Sequence, residues 1–228
     1  PYFDDIYYVG EIKSIPINEL VKQFPYLNQD ELEEIDLFYQ SHKCCKSQDG
    51  FEYKLWTEQE CDDLIKNSFS DYYDFYNSFR FTIQKIDFVR FAILRKYGGI
   101  YIDLDMFIIK NLKPMLRHKF VFHNVRHAQP NYSFIENDFI ASEPIELWDK
   151  IMSFCKVNYK NFASREIYDV WKGRFIFHTT GPYFMTRCAK KFIPKYTPKK
   201  IVMTKWDTEQ NPMFYIKDHK ANTWVNQK

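Results

Sequence analysis

The stretch from Arg80 to Lys110, RFTIQKIDFVRFAILRKYGGIYIDLDMFIIK, constrains this chain more than any other. Ile83, Ile86, Phe91 and Leu94 fall near one face of a helix, which predicts an amphipathic helix over the first part. Gly98 and Gly99 supply its stop, because glycine takes the backbone conformations that helix C-termini need. The apolar run IYIDLDMFII follows as strand material and carries Asp103 and Asp105. Carboxylates at the end of a buried strand cost free energy unless solvent, a basic partner or a cation compensates them.

The rest of the chain alternates in the same way. DIYYVG (Asp5 to Gly10) and FEYKLW (Phe51 to Trp56) read as strands. So do KFVFHN (Lys119 to Asn124) and FIENDFIAS (Phe134 to Ser142), the latter with a break around Glu136–Asp138. KIVMTK and MFYIKD close the chain as short strands. Helices are expected over Asn28 to His42 and Thr57 to Phe69. The second opens on a capping box, Thr57 with Glu60 three residues on. Further helices are expected over Pro144 to Lys156, with the proline at the first position, and after a loop within Thr179 to Phe192. Strand–helix alternation predicts an α/β fold. No repeat, low-complexity segment or composition break divides the 228 residues, so residues 1–228 are expected to form one domain.

Charge excludes some functions. The net charge is +2, from 32 basic and 30 acidic residues, which gives no reason to expect nucleic acid as a partner. The five cysteines are odd in number and lack a CxxC spacing, which favours reduced thiols and a cytoplasmic setting. No run of 18 apolar residues is present, so no transmembrane segment is expected within the chain. The chain opens at Pro1, which leaves room for a membrane anchor removed upstream.

Asp103 and Asp105 stand at i and i+2, on one face of a regular strand and about 7 Å apart at Cα. Where a strand turns at its end, their oxygens can converge on one hard cation such as Mn²⁺ or Mg²⁺. On the preceding helix, Asp87 and Arg90 share a face at i and i+3. By itself that pair reads as an exposed ion pair of small worth. The double glycine, however, lets their face approach the aspartates. An acid, a guanidinium and a metal-binding pair would suit a sugar diphosphate: carboxylates for hydroxyls, Arg for oxygens, metal for phosphates.

The window KIDFVRFAILRKYGGIYIDLDMFIIKNLKPM (Lys85 to Met115) resembles the core of the DXD "sugar-binding region" glycosyltransferases. These include fungal α-1,6-mannosyltransferases, α-1,4-galactosyltransferases and mannosyl-inositol-phosphoceramide synthases, and more distantly the clostridial glucosylating toxins. The pattern D-x-x-R-x-x-x-L-x-x-x-G-G-x-Y-x-D-x-D is met by Asp87, Arg90, Leu94, Gly98, Gly99, Tyr101, Asp103 and Asp105. ENDFIASEP, TTGPYFMT and DHKANTW resemble further family segments, so the resemblance runs from about Phe51 to Trp224.

The resemblance implies a GT-A-type domain, a Rossmann-like, mostly parallel sheet flanked by helices. It implies a retaining transfer of sugar from a UDP- or GDP-sugar to a hydroxyl of a glycan, lipid or protein, with Mn²⁺ or Mg²⁺ as cofactor. Residue by residue, it implies that Asp105 binds the metal, that Asp103 touches the donor and shares the metal, and that His219 is a third ligand. Asp87 and Arg90 would hold the transferred sugar, Tyr101 would pack beside the nucleotide, and Trp224 would contact the diphosphate. Tyr8 is a donor-side candidate in IYYVG, a segment without the family's His and Trp, which leaves uridine and guanosine both open. Retention would ordinarily call for a carboxylate nucleophile. None is assigned; Asn137 and Asp138 are the candidates near the chemistry.

Two other readings fit part of the pattern. A haloacid-dehalogenase-type phosphohydrolase also carries D-x-D after an apolar strand, but Phe107 and Ile108 fit it poorly and no later acidic pair follows. A catalytically inactive binding relative would have little use for an intact Asp87, Arg90, Asp103 and Asp105.

Overall fold

Helices surround the stretch that carries the motif. The computed structural model describes residues 40–104, 106–108, 110–114, 118, 120–126, 133–164, 172–193 and 216–218. Residues 40–46 are helical. Then follow α1 (Glu58–Ser68), a 3₁₀ turn (Ser70–Tyr72), α2 (Tyr73–Asn77) and α3 (Thr82–Tyr97). The strands β1 (Gly99–Ile102), β2 (Met106–Ile108), β3 (Phe120–Arg126) and β4 (Ser133–Ser142) come next. The helices α4 (Leu147–Ala163), α5 (Lys172–Thr179) and α6 (Pro182–Phe192) precede β5 (Ile216–Asp218).

Local chemistry explains several of these boundaries. Thr57 caps α1: its hydroxyl accepts from Glu60 N, while the Glu60 carboxylate accepts from Thr57 N at 2.9 Å, as the spacing predicts. Pro182 opens α6, where a missing N–H costs nothing. Gly98 ends α3 at φ 66° and ψ −154°, a region open in practice only to glycine.

The sheet has the order β1-β4-β3, and both pairings are antiparallel. A second ladder pairs β2 with β5, again antiparallel. The described ladders thus do not include the parallel pairing expected, and the expected first strand, Asp5–Gly10, lies outside the described residues.

Alternation along the strands splits the core in two. Phe120, Phe122, Ile140 and Tyr101 pack with the helices. Val121, Phe139, Ala141, Ile100 and Ile102 pack instead with Met106, Ile108 and Leu112. The sheet therefore packs on both faces, in a mixed arrangement of helices and antiparallel strands. Trp148 of α4 anchors the helical side, with ring centroids 5.8 Å from Phe91 and 5.1 Å from Phe120.

Several expectations need correction. Phe51–Trp56 alternates in exposure but forms no strand: periodicity sets which side chains turn inward, not whether a partner lies alongside. The apolar run after Gly99 is two strands, because the chain leaves the sheet after Ile102. β4 is unbroken; the irregularity is in its ladder, where register shifts between Phe122 and Asn124 of β3. Pro144 stands ahead of α4, whose first turn starts at Leu147 after Glu146 as N-cap. Thr179 closes a helix, α5, that the sequence reading passed over. Among the described residues, no helix is long and apolar enough to cross a membrane.

The α3–β1 corner is a test of this account. A Cβ on Gly98 would lie 2.7 Å from Pro144 Cδ and 3.0 Å from Ser142 O. We expect Gly98→Ala to destabilise by about 3 kcal/mol in urea unfolding, from backbone strain and overpacking together. Gly173→Ala, in α5 with open space around it, should be neutral or stabilising by up to about 1 kcal/mol. Equal effects at the two positions would refute the account of the corner.

Candidate functional site

The site grows out of α3, whose residues from Gln84 through Leu94 include polar groups buried with the apolar ones. Asp87 is 4% exposed and Arg90 1%. A surface ion pair is therefore the wrong picture. Arg90 Nη2 lies 3.0 Å from Asp87 Oδ1 within the protein, where removing one partner strands the other charge.

Arg90 connects three elements. Its Nη1 donates to the carbonyl of Asn137 in β4. Its Nη2 also lies 3.6 Å from Asp103 Oδ1, just past β1. Its guanidinium sits 4.7 Å from the centre of the Tyr101 ring, in β1. Burial alone would lower its pKa. The fields of Asp103, Tyr101, Asp87 and Asp138 outweigh that and hold it above its ordinary value.

Both oxygens of Asp87 are engaged. Asn137 Nδ2 donates to Oδ1 and Thr180 Oγ1 donates to Oδ2, each at 2.7 Å. Burial raises the Asp87 pKa, against the opposing pull of Arg90, Thr180 and Asn137.

Asp103 stands where the chain turns out of β1. Its N–H donates to Asp138 O at 2.8 Å, and its carbonyl accepts from Met106 N at 3.1 Å. The Tyr101 hydroxyl donates to Asp103 Oδ1 at 2.8 Å. Its side chain is 31% exposed, against 16% for Asp138, so it is the most open carboxylate of the group. Asp138 is held in turn by His123, whose Nδ1 is 2.9 Å from each carboxylate oxygen. With an ionised Asp138 as acceptor, Nδ1 is the protonated nitrogen.

Six predicted residues thus come together where α3, the end of β1 and the middle of β4 meet: Asp87, Arg90, Tyr101, Asp103, Asn137 and Asp138. Tyr8, Asp105, His219 and Trp224 lie outside the described residues. The sequence reading missed His123 and Thr180. The Thr-Gly-Pro segment was itself a signal for Thr180; His123, in an ordinary strand, carried none.

Among the described residues, no three His, Cys, Asp or Glu side chains cluster as a metal site. Asp103 nevertheless presents a partly open carboxylate. Asp87, Asp103 and Asp138 all act on the single guanidinium of Arg90. Oxygen donors of this kind suit a hard cation better than a soft metal.

Residues 36–122 match the family model of the glycosyltransferase sugar-binding region containing a DXD motif. The region belongs to that family. It holds Asp87, Arg90, Tyr101, Asp103 and Asp105. The chain is also similar to an uncharacterized glycosyltransferase of Acanthamoeba polyphaga mimivirus, 36% identical over 44% of this chain and 40% of that one. Two mannosyl phosphorylinositol ceramide synthases of Saccharomyces cerevisiae match over more of it. One is 34% identical over 69% of this chain and 38% of its own length, the other 30% over 66% and 37%. The chain spans less than half the length of these relatives.

The buried pair in the sugar-binding region gives a stability prediction. Arg90→Met should destabilise by about 3–5 kcal/mol, because Asp87 is left buried without its cation. Asp87→Asn combined with Arg90→Met should cost clearly less than the sum of the single changes. Additive losses in chemical denaturation would show that the two charges are not coupled.

Proposed function

We propose that this chain is the catalytic part of a retaining, divalent-metal-dependent glycosyltransferase that uses a nucleotide-diphosphate sugar. The observation that carries this reading is the Asp87–Arg90–Asp103 constellation within the sugar-binding region: locked inside at Asp87, partly open at Asp103. The antiparallel sheet β1-β4-β3 would be the site-bearing part of a single GT-A-type domain.

In this reading Asp87 and Arg90 hold hydroxyls of the transferred sugar, and Tyr101 packs beside the nucleotide. Asp103 touches the donor and, with Asp105, binds Mn²⁺ or Mg²⁺. The cation would supply charge stabilisation for the departing diphosphate. His219 is a third ligand in the same proposal. The register supports it, since Met106, directly after Asp105, pairs with Asp218, directly before His219. Trp224 and Tyr8 complete the donor side.

The chain's own residues do the positioning. Tyr101 and Arg90 both act on Asp103 Oδ1, which restrains the rotamer of that carboxylate while its side chain stays 31% exposed. Arg90, held by Asp87 and by the Asn137 carbonyl, is ordered before any ligand arrives, so little entropy is lost on binding. Asn137 and Asp138 lie beside it, and no nucleophile is assigned to either. The reaction breaks the anomeric bond to the diphosphate and forms one to the acceptor oxygen on the same face. The hydroxyl proton leaves with the departing phosphate oxygen. The named activity of the yeast relatives makes mannose the first sugar to test and a lipid headgroup hydroxyl the first acceptor.

The test is nucleotide release from a panel of UDP- and GDP-sugars, with Mn²⁺ and with EDTA. We expect release from one donor, abolished by EDTA and lowered at least about 100-fold in Asp105→Ala. Absence of release from every donor, with no thermal shift by UDP or GDP plus Mn²⁺, would overturn the proposal.

A further inference from the structure

The corner between α5 and α6, Thr179–Thr180–Gly181–Pro182, meets α3 at two successive residues. Gln84 Nε2 donates to Thr179 Oγ1 at 2.7 Å. One turn further along α3, Asp87 Oδ2 accepts from Thr180 Oγ1, also at 2.7 Å. Both threonines are fully buried. Thr180 has one hydroxyl proton and two acceptors within reach, Asp87 Oδ2 at 2.7 Å and Ile176 O at 3.5 Å. The shorter contact, to a carboxylate, takes the proton.

The backbone of the corner leaves Thr180 little freedom. Thr180 N and Gly181 N both donate to Ile176 O, at 3.1 and 3.0 Å, and Met185 N donates to Gly181 O at 3.0 Å. A Cβ on Gly181 would stand 3.1 Å from Phe177 Cα, so glycine permits the close turn. Two helices and a close packing contact set where this hydroxyl points. That precision is passed to a carboxylate whose other oxygen, Oδ1, is held by Asn137 and Arg90.

We propose that Thr180 is a positioning residue for the donor sugar, acting through Asp87. This rests on the reading of Asp87 and Arg90 as the pair that holds the sugar. The Thr180 proton is committed to Asp87, so the residue acts through that carboxylate rather than by donating to the ligand. Without its hydroxyl, Asp87 Oδ2 loses a donor in a dry site, and rotation of the carboxylate changes what Oδ1 offers to Arg90 and Asn137.

The experiment compares Thr180→Val, Thr180→Ser and Asp87→Asn, plus the Thr180→Val/Asp87→Asn double variant. The readouts are donor turnover with Mn²⁺ and binding of the free nucleoside diphosphate. Thr180→Val should lower kcat/KM for the donor about 10- to 100-fold, the range of one hydrogen bond to a charged group. Binding of the nucleoside diphosphate, which lacks the sugar, should change by less than about twofold. Thr180→Ser, which keeps the hydroxyl, should recover most of the activity. In the Asp87→Asn background, Thr180→Val should add nothing further. If Thr180→Val fails to fold, Thr180→Cys, of similar size with a weak donor, takes its place. Wild-type turnover in the valine variant, a parallel loss of nucleoside diphosphate binding, or additivity with Asp87→Asn would each overturn the inference. A wild-type protein that releases nucleotide from no donor would instead overturn the glycosyltransferase reading beneath it.

Discussion

One buried guanidinium holds this structure's site together. Arg90 is 1% exposed and joins α3 to β4 through Asn137, to the end of β1 through Asp103, and to its own helix through Asp87. An isolated charge at that depth would cost several kcal/mol. Carboxylates and a carbonyl drawn in from separate elements compensate it. Lysine could not replace it, because a single ammonium lacks the planar fork that reaches all these acceptors at once.

The same demand orders the surroundings. Asp87 neutralises Arg90 and then needs donors of its own, which Asn137 and Thr180 provide. Asp103 is steadied by Tyr101, and Asp138 by His123. Exposure thus rises from the buried Asp87 and Arg90 through Asp138 to Asp103. Such an arrangement is suited to binding: a rigid, satisfied interior presents one partly exposed carboxylate without first having to be organised.

Much of this was legible in residue order. Asp87 and Arg90 had to share a helix face, and a double glycine had to turn the chain sharply into the strand bearing Asp103. The capping box at Thr57 and the proline at the start of α6 were also readable, because both depend on contacts within one turn. Less legible were features that need a second segment. Phe51–Trp56 alternates like a strand and finds no ladder. The irregularity near Glu136–Asp138 belongs to the pairing of β4 with β3 rather than to β4 itself. His123 could not be singled out, since its role exists only once Asp138 lies opposite.

Local sequence therefore determined the helix–glycine–strand unit, the spacing of its charged residues and its membership of the sugar-binding family. Each is a matter of backbone preference or of side chains a few residues apart. Tertiary structure alone decided that the Asp87–Arg90 pair is buried rather than exposed, which donors satisfy it, and that the strands around it run antiparallel. Those outcomes depend on which distant segments exclude water from the pair, and burial is what turns an ion pair of little consequence into the centre of a site.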